Sequence, residues 1–213
     1  AWRGVRGLAG RLPAPAQPSL LAVALAAAVL LPDARLRLLA LAGYGGLALL
    51  WPTSALYAAV LAVPLAPVTV HLGVGTFSLA EITLLVAAAA QGGNALLRPW
   101  AKLRTAGRGA LARVRALDVA VGLLVLVALG ATARAEYQRV AWRELRVVIA
   151  ESAVLYALVR AQAAPVRRRL LDVLVAGVAG VALYGLARYA SPSGVVEAEG
   201  VRRARAFYGS PNN

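Results

Sequence analysis

Apolar residues in this chain come in long runs broken by short polar interruptions, which predicts helices apolar on every face. The clearest run, LLDVLVAGVAGVALYGLARYA at 170–190, carries only Asp172 near one end and Arg188 near the other. A helix crossing the hydrocarbon of a bilayer needs about 20 such residues, and charges near its ends can snorkel to the interface. Residues 78–97 form a second run, opened by Ser78-Leu79-Ala80-Glu81 in the S-x-x-E form of a capping box. A third, 118–133, starts at Asp118, a good N-cap, and a fourth follows at 146–163. Before these, 20–31, 36–51 and 53–68 are separated only by Pro32-Asp33-Ala34-Arg35 and by Trp51-Pro52-Thr53. The pattern predicts an all-α, polytopic transmembrane helix bundle of about seven spans. A re-entrant hairpin within the first 70 residues would lower that number to five or six.

Composition narrows the class. Of 213 residues, 61% are hydrophobic, the mean hydropathy is +0.71 and the formal charge is +14. A disordered basic tail is poor in aliphatic residues, and a soluble nucleic-acid binder does not carry one apolar run after another. The absence of cysteine removes disulfides, thiolate nucleophiles and Cys-ligated metals. No methionine occurs, even at position 1, so the chain is expected to lack residues from its beginning. Lys102 is the one lysine among 23 basic residues. Arginine enrichment together with Ala, Gly and Leu is what a GC-rich coding sequence produces, so position carries more meaning than number.

Placing the N-terminus in the cytoplasm puts 13 basic residues in inner segments and ten in outer ones, the arrangement favoured by the positive-inside rule. The inner set is nearly free of acids, whereas the outer set is mixed with Asp33, Glu136, Glu144, Glu197 and Glu199. The expected organisation is a basic, Pro-rich cytoplasmic tail at 1–18, a transmembrane bundle at 19–190 and an outer loop at 191–213, in the cell (inner or plasma) membrane. Trp51, Trp100 and Trp142 fall at span ends, where indole rings favour the headgroup level. The inner loop 98–117 mixes arginines with Leu103, Leu111 and Val114 and is expected to lie on anionic headgroups. Membrane lipid is therefore the expected partner, and nucleic acid is not.

The outer segments hold the candidate chemistry. Glu136, Arg139, Arg143 and Arg146 are spaced 3, 4 and 3 apart, so a helix would align them in one stripe. Such a stripe suits anion recognition by Arg139 and Arg143, or equally a row of snorkelling guanidiniums. Glu151, a turn into the following span, needs a protein or water partner, and an arginine of another span is expected. Glu81 is explained by its capping position. His71 is the single histidine, in a Gly-containing segment, and no His or carboxylate spacing indicates a metal site. Gly43, Gly45, Gly46, Gly177 and Gly180 suit close helix packing. At the C-terminal end, Arg202, Arg203 and Arg205 crowd the outer end of the last span, ahead of Phe207-Tyr208-Gly209-Ser210-Pro211-Asn212. Clustered guanidiniums beside such a turn can grip a diphosphate, and Asn212 can cap a helix or meet a sugar hydroxyl.

The arrangement Arg203-x-x-Ala206-x-Tyr208-Gly209-Ser210-Pro211-Asn212 resembles the R-x-x-G-x-F-G-x-P-N segment of the O-antigen ligase and O-antigen polymerase family. FSLAEITLL at the start of one span and RELRVVIAESAVLYALVR ahead of the last agree loosely with it. The resemblance is to the N-terminal portion of a larger bundle. It implies a membrane glycosyltransferase that moves a glycan from polyprenyl diphosphate to an acceptor hydroxyl at the outer face, with no cofactor. Arg203 would then contact the lipid diphosphate, with Arg205 close by, and Pro211 and Asn212 would shape the loop. Ala206 stands where the family has Gly, the family's large outer loop is absent, and His71 does not match its essential histidine. The catalytic residues are therefore unassigned. The alternative from another class is a non-catalytic accessory subunit packing against other membrane protein subunits through Ala- and Gly-rich faces. A transporter is disfavoured, because neither inverted repeats nor mid-membrane charge clusters are evident.

Overall fold

A computed structural model describes residues 16–72, 75–96, 115–191, 195–198 and 201–204. Each apolar run of the sequence becomes helical. In order these are α1 (Ala16–Leu30), α2 (Ala34–Leu50), α3 (Pro52–Ala62) with a 3₁₀ turn (Val63–Leu65), and α4 (Leu79–Leu96). They are followed by α5 (Ala116–Ala133), α6 (Gln138–Glu144), a π-helical turn (Leu145–Ala150), α7 (Glu151–Arg160) and α8 (Ala164–Ala190). The fold is mostly helical. Two short antiparallel hairpins add to it: β1 (Thr69–His71) with β2 (Thr76–Ser78), and β3 (Val195–Ala198) with β4 (Val201–Ala204).

Local chemistry sets the boundaries. Asp33 caps α2, its carboxylate accepting from the backbone N–H of Arg35 at 2.8 Å and of Leu36 at 3.0 Å. Pro52 lacks an N–H and disfavours helical geometry at the residue before it, so α2 ends at Leu50 and α3 begins afresh with the proline in its first turn. Pro64 ends α3 in the same way, through the 3₁₀ turn. Ser78 accepts from the Glu81 N–H at 3.0 Å, which forms the serine half of the expected capping box. Helix α5 starts two residues earlier than its sequence suggests. Asp118 lies at N3 and reaches back to the Arg115 N–H at 2.8 Å instead of serving as N-cap. The run at 146–163 is interrupted, because its first turn is π-helical and α7 proper begins at Glu151.

The chain divides into two compact units, Ala1–Ala90 with Ala163–Asn213, and Gln91–Gln162. In the first, α1 packs on α2 and α3, and α8 packs on α3 and its 3₁₀ turn. Leu21, Tyr44, Ala48, Ala55, Leu56 and Ala59 are buried in this part of the chain, and Thr83 and Ala87 of α4 are buried as well. Thr83 satisfies its buried hydroxyl within its own helix, donating to the Leu79 and Ala80 carbonyls at 2.9 and 3.0 Å. In the second unit, α5 packs against α6 and the π-helical turn.

Among the described residues two helices, α5 and α8, are long and apolar enough to cross a membrane, and both are almost entirely exposed over their apolar length. Val127, Leu126, Val175, Leu183 and Leu186 project outward, each about two-thirds exposed. A water-soluble domain keeps such patches small, and this outward-facing aliphatic surface is compatible with membrane association. The glycines behave differently from one another. A Cβ at Gly177 would lie 3.1 Å from Leu61 Cδ1 and 3.2 Å from Pro64 Cγ, so Gly177 is where α8 closes on α3. Gly43, Gly45, Gly46 and Gly180 have nothing within 4 Å of that position, so their absent side chains serve no close contact within the chain. Trp51 is buried between α2 and α3 and not presented at a surface, whereas Trp142 is half exposed. Trp100 lies outside the described residues.

Candidate functional site

The outer arginines of the sequence fall in separate places. Arg203 lies on β4, paired in register with Val196 of β3, and its neighbour Arg202 pairs with Glu197. This hairpin follows α8 after a short connection, and β4 packs against α8. The two arginines are thus held on a strand next to a membrane-length apolar helix. Arg205, Pro211 and Asn212 lie outside the described residues.

Arg139 and Arg143 are both exposed on α6, in the second unit. The stripe expected from Glu136 to Arg146 is broken at both ends. Glu136 precedes α6 in a bend, and Arg146 belongs to the π-helical turn, whose longer i→i+5 repeat shifts its phase from that of Arg139 and Arg143. The pair Arg139–Arg143, four residues apart on one face, survives from that pattern. Glu151 begins α7 directly after the turn and is partly buried.

A polar cluster unforeseen from the sequence joins α5 to α7. Asp118 Oδ1 accepts from the Tyr156 hydroxyl at 2.5 Å and from Arg160 Nε at 3.3 Å, while Oδ2 accepts from the Arg115 backbone N–H. The Arg160–Asp118 ion pair is about a quarter to a third exposed on each side. Sequence reasoning looked for an arginine partner to Glu151 and passed over this one. The spacing that could have shown it is Tyr156-x-x-x-Arg160, which puts both donors on one face of α7, while Asp118 opens the preceding apolar helix.

His71 ends β1, where its ring Nδ1 lies 2.8 Å from Thr76 Oγ1 across the hairpin. Arg37 ties this hairpin to the α1–α2 connection. Its Nε donates to the Leu31 carbonyl at 2.5 Å, Nη2 to the Pro32 carbonyl at 3.1 Å and Nη1 to the His71 carbonyl at 3.4 Å. Its guanidinium therefore faces backbone oxygens, a fork geometry that lysine cannot reproduce. Among the described residues no three His, Asp or Glu side chains gather into a metal-binding group.

The first unit also contains an apolar cavity of about 220 Å³ between α1, α3 and α8. Leu21, Leu25, Tyr57, Leu61, Leu65 and Val173 are among the residues that line it, with Ser54 and Leu79.

No protein-family model, no curated protein and no solved structure matches this chain. What defines it is therefore its own architecture, a helical protein with two helices of membrane-crossing length and with arginines next to one of them.

Proposed function

We propose that this chain is membrane-embedded and corresponds to the N-terminal portion of an O-antigen ligase-like glycosyltransferase acting on polyprenyl-diphosphate-linked glycan. The observation that carries the reading is the packing of the β3–β4 hairpin on α8, where the second strand after a 27-residue apolar helix bears Arg202 and Arg203 and lies against that helix. At the end of a bilayer-crossing helix, arginines meet the level of lipid phosphates, and the Tyr208-Gly209-Ser210-Pro211-Asn212 segment follows at once. In this reading the seven apolar runs are seven crossings with the N-terminus in the cytoplasm. Arg203 and Arg205 neutralise the diphosphate as it becomes a leaving group, Asn212 shapes the loop beside it, and Arg139 and Arg143 add positive charge on the outer side.

The test is glycan transfer from a polyprenyl diphosphate donor by the full-length protein carrying Arg203→Ala. Loss of about 100-fold in turnover with normal membrane insertion is expected, the scale of removing one preorganised charge-stabilising donor. Undiminished transfer would remove Arg203 from the site. A second reading, an accessory subunit packing in a larger membrane complex, is favoured by the open track on α2. There Ala42, Gly43 and Gly46 are exposed, and nothing lies near the missing Cβ of either glycine. Translation of the gene beyond Asn213 separates the two readings: further spans with an Arg- and His-containing outer loop support the transferase, and a stop codon there supports the subunit.

A further inference from the structure

The apolar cavity between α1, α3 and α8 is elongated. On α3 its wall comes from Ser54, Tyr57, Ala58, Leu61 and Ala62, which recur at 3, 1, 3 and 1 and so form one face, continued by Leu65 in the 3₁₀ turn. On α1 the matching stripe is Pro18, Leu21, Ala22 and Leu25. The two helices run side by side in the same direction, since Gln17 at the start of α1 meets Ser54 at the start of α3 at 3.5 Å. The eleven-residue rise from Ser54 to Leu65 makes the groove about 16 Å long.

That length is close to one leaflet, half of the ~30 Å hydrocarbon thickness. Its volume, about 220 Å³, exceeds the ~150 Å³ at which a dry apolar cavity already accepts a small hydrocarbon. Water is a poor occupant, since it needs two to four polar partners and the wall offers only the Ser54 and Tyr57 hydroxyls. A helix, ~10 Å across with its side chains, is too wide for a groove of this length and volume. Charge complementarity points the same way. Val173 lines the groove from α8, and Arg169 lies four residues before it on the same face, exposed, with exposed Arg168 adjacent. Asp172 offsets part of this charge, but Arg167, Arg168 and Arg169 leave the first turns of α8, ahead of Val173, net positive.

We propose that this groove is a phospholipid site: one acyl chain of a bilayer glycerophospholipid occupies it, with the lipid phosphate held by Arg169 and Arg168. A polyprenyl chain fits less well, because it is longer than one leaflet and carries a methyl branch on every unit. The site requires the membrane-embedded part of the preceding reading and is independent of glycan transfer.

The experiment is native mass spectrometry of the full-length protein extracted in mild detergent, with phosphatidylglycerol as the added probe and undecaprenyl phosphate as competitor. Wild type is expected to retain about one phospholipid per chain, with retention lowered roughly fivefold or more by Ala58→Phe, which fills the groove, and by Arg169→Gln, which leaves the fold untouched. Ala42→Phe, on the exposed face of α2, should retain lipid as wild type does. Retention at the wild-type level by either Arg169→Gln or Ala58→Phe would overturn the proposal, and so would full displacement by equimolar undecaprenyl phosphate. Recovery of the chain in the aqueous fraction without detergent would overturn this site and the membrane reading together. Failure of the Arg203→Ala transfer test alone would leave the site standing.

Discussion

Tyr44 is fully buried in α2 and its hydroxyl has no hydrogen-bond partner, so the oxygen contributes a desolvation cost and the ring contributes the packing. Tyr44→Phe is therefore expected to leave thermal stability unchanged or raise it, whereas truncating the neighbouring core residue Leu56 to Ala should cost about 2–5 kcal/mol. Thermal unfolding in detergent distinguishes the two. Asp118 stands at the opposite extreme, with three donors converging on one carboxylate. Asp118→Asn should lower the unfolding temperature more than Tyr156→Phe, which removes one donor, and Glu136→Gln on the exposed bend should change nothing. Equal effects for all three would show that the cluster does not hold α5 to α7. For Arg37, both Lys and Ala replacements should destabilise, by about 2 kcal/mol, because neither can reach three carbonyls. Of these residues only Asp118 was visible in the sequence, as a helix-starting acid. The Arg37 clamp was hidden because its partners are backbone oxygens, which leave no trace in residue type.

At the scale of elements, apolar run length located the described helices except the polar α6, because a run between Pro, Asp or Gly interruptions has little else to become. Boundaries depended on finer chemistry. Pro52 and Pro64 acted as the sequence suggests. The π-helical turn at Leu145–Ala150 had no sequence marker, and it is the reason the Glu136-to-Arg146 stripe does not form. The hairpins were missed as well, since three- and four-residue strands are too short for alternation to register. Glycine roles were legible only as a group. Among the helix glycines described, Gly177 is in close contact, with Leu61 and Pro64, whereas Gly180 faces open space one turn later. Gly177→Leu should separate α8 from α3 and cost about 1–3 kcal/mol, the range for overpacking, while Gly180→Leu is expected to be neutral. The reverse ranking would mean that α8 packs on α3 through another face.

For the whole molecule, the positive charge and the apolar majority no longer describe one surface. Exposed aliphatic side chains cover much of α5 and α8 and extend to α1 and α2, at Val23, Leu30 and Leu39 among others. Arginines group on the short helix α6 at Arg139 and Arg143, near the start of α8 at Arg167 to Arg169, and on strand β4 at Arg202 and Arg203. The candidate diphosphate site was legible in the sequence through Arg203 and the segment after it, and the structure adds that Arg203 is fixed on a strand next to α8. The lipid groove was not legible at all, because it exists only where three helices separated in sequence come together.

The chain has no cysteine, so single cysteines can be introduced on an unmodified background and probed with a membrane-impermeant maleimide in intact cells. The expected result is labelling from outside at Glu136→Cys and Ser193→Cys, with Ala106→Cys labelled only after the membrane is permeabilised. Labelling of Ala106→Cys and Glu136→Cys from the same side would mean that α5 does not cross the bilayer, and would contradict the membrane-embedded account at its base.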